Sequence, residues 1–149
     1  MIHTACLREV LYDAGHDELV RRRHCLELCT SHDLVPGLAH DLVAHAENGL
    51  IRRAWLNAAR KAPGITPPTH WPVWRRSFRP APRAAADAPV SLRHILSESL
   101  SAQRNYADLG RHARKARQER LAAICARLVN AERHFRERID HHRMKERTP

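Results

Sequence analysis

The sequence predicts an all-α protein: a small helical bundle of about five helices, with a proline-rich connector and a C-terminal helical hairpin. Apolar residues recur at helical spacing on both sides of the connector, and no segment alternates with the period of a strand. Pro and Gly stand where the helical patterns end. The chain has 149 residues, 43% of them hydrophobic, which is enough for one compact domain with a buried core.

Three helices are predicted in the N-terminal segment, residues 1–62. The first covers residues 4–14 and ends at Gly15, because glycine commonly terminates a helix. The second covers residues 17–32 and the third residues 38–62. The apolar positions at helical spacing are Leu19, Leu26 and Cys29 in the second helix, and Leu42, Ala46, Leu50, Ala54 and Ala58 in the third.

Proline separates this segment from the rest of the chain. Seven of the nine prolines lie within residues 63–90, which therefore form a connector rather than a continuous helix. The remaining segment, residues 91–149, begins at Ser91, which we expect to cap a helix. Apolar residues follow two different helical phases before and after residues 115–119, so a reversal there predicts a two-helix hairpin.

The net charge of +10 lies entirely in the second part of the chain. Residues 1–62 carry eight Lys and Arg against eight Asp and Glu. Residues 63–90 carry four against one, and residues 91–149 carry fourteen against seven. A one-sided cationic field attracts polyanions, of which nucleic acid is the first candidate.

A nucleic-acid interface is therefore our preferred interpretation, within a non-enzymatic binding protein. The residues expected to contact phosphate are Arg75, Arg76, Arg104, Arg111, Arg114 and Lys115. Trp71 and Trp74 offer surfaces on which bases can stack. No zinc-finger spacing, RNP signature or helix-turn-helix pattern accompanies them, so the prediction rests on composition.

Other partners are compatible with the same features. The cationic half could dock an acidic protein in a larger assembly, and the neutral N-terminal helices could bind a protein partner. A homodimer is also compatible with the sequence. The four cysteines do not suggest a disulfide framework, so we expect a reduced, cytoplasmic protein. No stretch approaches the length of apolar sequence that a membrane span needs.

A second interpretation starts from the inward-facing residues of the hairpin. Glu98, Tyr106, Ala113, the LAAI of residues 121–124, and Glu132 follow one another at bundle-like spacing. In this order residues 91–140 resemble half of a rubrerythrin-type ferritin-like bundle. That resemblance implies a metal-binding or redox protein that holds iron or manganese.

The resemblance implies Glu98, Glu132 and His134 as metal ligands, with departures from the family pattern. Glu98 is one residue further from Tyr106 than in the family, and Phe135 stands where the family has its ligand His. Glu132 and His134 are two residues apart, which places them about 200° apart on a helix. The N-terminal half has no second copy of the motif, so a di-metal centre would need the hairpin of a second chain.

A second metal candidate lies in the second predicted helix. Cys25, Cys29 and His32 recur at i, i+4 and i+7, on one helix face. Such ligands suit Zn²⁺ or Cu⁺, although a buried core stripe has the same spacing and is our preferred interpretation. No nucleophile elbow, phosphate loop or carboxylate pair is present, so the sequence offers no support for enzymatic activity.

Overall fold

The computed structural model describes residues 4–61, 70–72 and 90–147. Its helices are α1 (Leu7–Ser31), α2 (Pro36–Lys61), α3 (Leu92–Lys115) and α4 (Glu119–Arg147). Two three-residue strands, β1 (Thr4–Cys6) and β2 (His70–Pro72), pair antiparallel, with Ala5 opposite Trp71. The all-α class is confirmed, but the described residues form four helices rather than about five. None of these helices has the length and apolar character to cross a lipid bilayer.

The difference in helix number arises at Gly15, where the sequence predicted an end and α1 continues. A Cβ at Gly15 would lie 3.6 Å from Cγ of Arg53 on α2, an ordinary packing contact. Glycine in a helix interior costs about 1 kcal/mol relative to alanine. Packing of α1 along the whole length of α2 offsets that cost, so the helix does not break.

The predicted hairpin is present. Ser91 caps α3, and its hydroxyl accepts a 3.1 Å hydrogen bond from the backbone N–H of His94. The reversal falls between α3 and α4, within the predicted residues 115–119. In the N-terminal half, α2 begins two residues earlier than predicted, because Pro36 is well suited to the first turn of a helix.

The turn between α3 and α4 is a Schellman-type helix end. The N–H of Gln118 donates to the carbonyl of Ala113 at 2.8 Å, and the N–H of Arg117 donates to that of Arg114 at 3.0 Å. Arg117 has a φ of 57°, the left-handed conformation that glycine usually supplies at this point. The turn therefore holds an arginine where the backbone favours glycine.

The two hairpins, α1–α2 and α3–α4, pack so that α2 contacts α4 and α1 contacts α3. The end of α2, at Leu56, shares one apolar cluster with the end of α3, at Leu109. The start of α2, at Leu38, shares another cluster with the start of α3, at Ile95. Helices α2 and α3 are thus parallel, and the chain between them returns from one end of the bundle to the other.

The two apolar clusters lie at opposite ends of the bundle. The first contains Val10, Leu11, Ala14, Leu56, Ala59, Ala102, Tyr106, Leu109, Ala113, Leu121, Ala122, Cys125 and Leu128. The second contains Cys25, Leu28, Leu38, Leu42, Ala46, Val90, Ile95, Phe135 and Ile139. Between them, at the middle of every helix, the interior is polar and charged.

The predicted buried face of α2 was wrong in the second part of the helix, because the middle of the interior is polar. Leu42 and Ala46 are buried as expected, but Leu50, Ala54 and Ala58 are exposed. The buried positions in their place include His45, Gly49 and Arg52. A search for apolar spacing misses this face because its central residues are not apolar.

Candidate functional site

A layer of buried polar side chains crosses the bundle between the two apolar clusters; we refer to it as the buried charge layer. It consists of Asp17, Glu18, Arg21, His24, His45, Arg52, Glu98, Ser99, Asn105 and Glu132. Four carboxylates and two guanidinium groups in an interior must be paired, because burial of an unpaired charge is very costly.

Arg21 is the centre of the layer. Its guanidinium donates to Glu132 at 2.7 Å, to Glu18 at 2.6 Å and to Asp17 at 3.1 Å. Arg21 is only 4% exposed, and Glu132 is fully buried. This one side chain therefore joins α1 to α4 and neutralises carboxylates from both helices.

Arg52 makes the second set of contacts, from α2. Its Nε donates to Glu18 at 3.0 Å, and its Nη2 donates to the backbone carbonyl of His45 at 3.1 Å. A Cβ at Gly49 would lie 3.3 Å from that Nη2, so the absence of a side chain makes room for the guanidinium. The hydroxyl of Tyr106 also donates to Glu18, at 2.6 Å, and this contact brings α3 into the network.

Burial moves the pKa values of several groups in the layer. Burial, together with the charges of Arg52 and Arg21, lowers the pKa of His45 well below its ordinary value, so this imidazole is neutral. Its ring stacks on Phe135 with centroids 3.7 Å apart. Burial raises the pKa of Asp17 to about 7, with further contributions from Glu18 and Glu98 that Arg21 counteracts in part.

Glu98 occupies a different part of the layer from the carboxylates that contact arginine. Nδ1 of His24 lies 2.9 and 3.0 Å from its two oxygens. Nε2 of His94, one helical turn earlier on α3, lies 3.5 Å from Oε1. The two imidazole rings meet edge to face, with centroids 5.3 Å apart.

The ligand set that the ferritin-like resemblance implies is not assembled in this structure. Glu98 and Glu132 both point into the bundle, but His134 is exposed and pairs with Glu137 at 3.3 Å. One oxygen of Glu132 is bound by Arg21 and the other accepts a 2.7 Å hydrogen bond from Ser99. The guanidinium of Arg21 thus occupies the position beside Glu132 that a metal ion would need, and these residues do not fit a di-metal centre.

The cysteine candidates are also dispersed. Cys25 is buried in the second apolar cluster, Cys29 is half-buried and His32 is exposed. Burial raises the pKa of Cys25 to about 12, which makes its thiol a poor metal ligand and nucleophile. The interpretation as a core stripe fits Cys25 best.

Of the predicted phosphate-contacting residues, Arg104, Arg111, Arg114 and Lys115 are exposed on α3. Arg104 lies about two turns from Arg111 and about three turns from Arg114 and Lys115, and Arg111 is paired with Asp108. Trp71 belongs to β2, but its side chain is outside the described residues, as are Trp74, Arg75 and Arg76. The structure therefore brings Arg114 and Lys115 together and leaves the connector's contribution open.

These two residues belong to a larger group that we call the cationic end. It consists of Lys61, Arg114, Lys115, Arg117, Arg120 and Arg127, all exposed. Four of them, those from Arg114 to Arg120, make no ion pair within the described residues. A groove of about 1030 Å³ opens here between the end of α2 and the start of α4. Trp55 lines it, half-buried, with the guanidinium of Arg127 5.9 Å from its ring centroid.

Sequence reasoning missed most of the buried charge layer. Glu18, Arg21 and His24 fall within the predicted second helix, residues 17–32, but no buried or functional role was predicted for them. Their spacing of three, continued by Leu28 four residues later, was the available signal, since it extends one buried face through the whole of α1. Comparisons of the chain with protein-family models, with curated proteins and with solved structures found no match.

Proposed function

We propose that the protein is a non-enzymatic nucleic-acid-binding protein that contacts the phosphate backbone through its cationic end. Arg114, Lys115, Arg117 and Arg120 are the principal phosphate contacts. Arg127 and Trp55 line the adjacent groove. Binding of this kind depends little on base sequence.

The conformation of Arg117 is the observation that carries the proposal. A left-handed conformation costs a residue with a side chain about 1 kcal/mol or more relative to glycine. Arg117 accepts this cost at φ 57° and presents an exposed guanidinium that has no ion-pair partner among the described residues. Unfavourable backbone geometry of this kind is concentrated at functional sites, because selection for function retains it.

The surrounding charges support the same proposal. Cations from the α3–α4 turn and from the end of α2 meet at one end of the bundle, with Glu119 as the carboxylate among the groove residues. Part of this charge also stabilises the C-terminal end of α3, where the helix dipole is negative. That effect does not account for Arg117 and Arg120, which lie beyond the end of α3.

Nucleic acid suits this surface because four of its six cations are arginines, and the guanidinium group binds phosphate oxygens in pairs. The half-buried indole of Trp55 offers an apolar edge beside these cations. An unpaired base can stack on such a surface.

Fluorescence anisotropy with labelled single-stranded and duplex DNA tests the proposal. For about four phosphate contacts, affinity should fall roughly a hundredfold between 50 and 200 mM salt. The test variant replaces Arg114, Lys115, Arg117 and Arg120 by Gln. The control variant replaces Arg93, Arg133, Arg143 and Lys145 by Gln, which removes the same charge from other exposed positions.

We expect the test variant to lose most of the affinity and the control variant to retain most of it. No binding at 50 mM salt, binding that is indifferent to salt, or equal losses in both variants would overturn the proposal. Tighter binding of polyglutamate than of DNA would also overturn it, in favour of an acidic protein partner.

A further inference from the structure

A group of three potential metal ligands lies in the bundle away from the cationic end. His24 comes from α1, and His94 and Glu98 come from α3, one helical turn apart. One ligand atom from each of them lies within 4.8 Å of the other two. His24 and Glu98 are buried, at 4% and 3% exposure, while the side chain of His94 is 15% exposed.

The distribution of charge in the buried layer isolates Glu98. Asp17, Glu18 and Glu132 each contact Arg21 directly. Glu98 has no arginine within ion-pair distance among the described residues, and its oxygens face two imidazoles instead. The layer holds four carboxylates against two guanidinium groups, so its uncompensated negative charge is concentrated beside His24 and His94.

His94 provides an independent indication that a cation binds beside Glu98. Its Nε2 is buried and makes no hydrogen bond with any described residue, although it lies 3.5 Å from a carboxylate oxygen of Glu98. A buried polar atom without a partner costs about 1–3 kcal/mol, so such atoms are few and call for a specific explanation. A cation between His94 and Glu98 would satisfy this nitrogen and the carboxylate together.

We propose that Nδ1 of His24, Nε2 of His94 and the carboxylate of Glu98 bind a single divalent transition metal ion, of the class of Zn²⁺ or Fe²⁺. Two imidazoles and one carboxylate are the preferred donors of such ions. Metal bonds of about 2.0–2.2 Å place tetrahedral ligand atoms roughly 3.3 Å apart. The observed 3.5 Å between His94 and Glu98 is close to this, and side-chain rotation of His24 completes the set.

This site shares Glu98 with the centre that the ferritin-like resemblance implies, but its other ligands differ. It excludes Glu132 and His134, and it draws His24 from the first helix and His94 from the first turn of the third. Three protein ligands leave a further coordination position for water or another small ligand. The partial exposure of His94 connects that position to solvent.

The experiment uses the full chain without a histidine tag, because its own twelve histidines already offer weak sites. Protein treated with chelator is titrated with Co²⁺, whose visible absorption reports coordination by nitrogen and oxygen, and then with Zn²⁺ as competitor. We expect one equivalent of Co²⁺ to bind and Zn²⁺ to displace it. Binding should weaken as the pH falls, since protons compete for the imidazoles.

His94→Ala is the main variant, because His94 is the most exposed of the three residues. It should weaken Co²⁺ binding by roughly a hundredfold or more. The matched control is His142→Ala, which removes the histidine that contacts Asp41 at 2.6 Å in a second, surface group of histidines and acids. Circular dichroism verifies folding, and His94→Gln serves if the alanine variant unfolds.

The proposal is overturned if the wild-type chain binds less than one equivalent of Co²⁺ at micromolar concentrations. It is equally overturned if His94→Ala and His94→Gln bind as tightly as the wild type, or if His142→Ala abolishes the signal. Loss of DNA binding by the cationic-end variant has no bearing on these results, so the two proposals fail or stand separately.

Discussion

Arg21 and Glu132, 111 residues apart in the chain, form a 2.7 Å ion pair in the interior of the bundle. The pair joins the first helix to the last. It places an arginine where the hairpin's resemblance to a metal protein would require a metal ion, so the structural role of a cation here is met by the protein itself.

Replacement of Arg21 by Met should destabilise the protein by about 3–5 kcal/mol, because it leaves the buried carboxylate of Glu132 without its closest cation and leaves Glu18 with Arg52 alone. Urea unfolding measures the change in the free energy of unfolding. The control is Arg23→Met on the exposed side of α1, which should stay within about 0.5 kcal/mol of the wild type. A loss below 1 kcal/mol for Arg21→Met would contradict the central role of this residue.

The effect of Asp17→Asn on stability should depend on pH. The pKa of Asp17 is about 7 in the folded protein against an ordinary 3.8, so the folded state binds the extra proton between these values. Stability that depends on this proton is present at low pH and is lost as the pH rises towards 7. The variant has no carboxyl at this position to lose a proton. Its free energy of unfolding should therefore rise relative to that of the wild type by up to about 4 kcal/mol between pH 4 and 8.

Thermal unfolding of both proteins across this range gives the difference curve. Asp33→Asn, an exposed residue between α1 and α2, provides the control and should give a flat curve. A difference between Asp17→Asn and the wild type that does not change with pH would show that the Asp17 carboxyl is not protonated in the folded state.

Gly15→Ala should stabilise the protein by up to about 1 kcal/mol, because α1 is continuous through this residue and the added Cβ meets an ordinary contact. Gly110→Ala is the informative comparison, since its Cβ would lie 3.1 Å from Cβ of Cys125 on α4. That close approach should cancel the gain. Chemical denaturation distinguishes the two, and a destabilised Gly15→Ala would indicate a break in α1.

Arg117→Gly should separate stability from function. Glycine relieves the left-handed conformation and should stabilise the fold by about 1 kcal/mol, while the loss of the guanidinium weakens DNA binding. Arg117→Gln removes the charge and keeps the strained backbone, so it should weaken binding equally without the gain in stability. Unchanged DNA affinity in both variants would remove Arg117 from the interface.

The hairpin could be predicted in detail because its residues follow simple rules. Ser91 caps the helix, and Ile95, Ala102, Tyr106 and Leu109 keep a regular apolar spacing that the structure buries. The helical phase of the apolar residues changes near residue 117, and this change located the turn. One continuous helix would have buried the arginines at this point.

The N-terminal hairpin could not be predicted as well, for a physical reason. The buried faces of α1 and α2 contain Glu18, Arg21, His45 and Arg52 at their centres. Arg21 pairs with Glu18 on its own helix, but Arg52 and Glu132 complete the network from other helices, and pairing between helices leaves no signal in the local spacing. Glu98 was assigned an inward position correctly, but its histidine neighbours His24 and His94 depend on the same tertiary contacts.

The way the charges of the buried layer are shared between the hairpins bears on the order of assembly as the chain leaves the ribosome. The N-terminal hairpin contributes Asp17 and Glu18 together with Arg21 and Arg52, so its interior charges balance before the rest of the protein exists. The described part of the C-terminal hairpin contributes the carboxylates Glu98 and Glu132 and no buried arginine. Domains generally fold from the N-terminal side during synthesis, and here the earlier hairpin presents the cations onto which the later one docks.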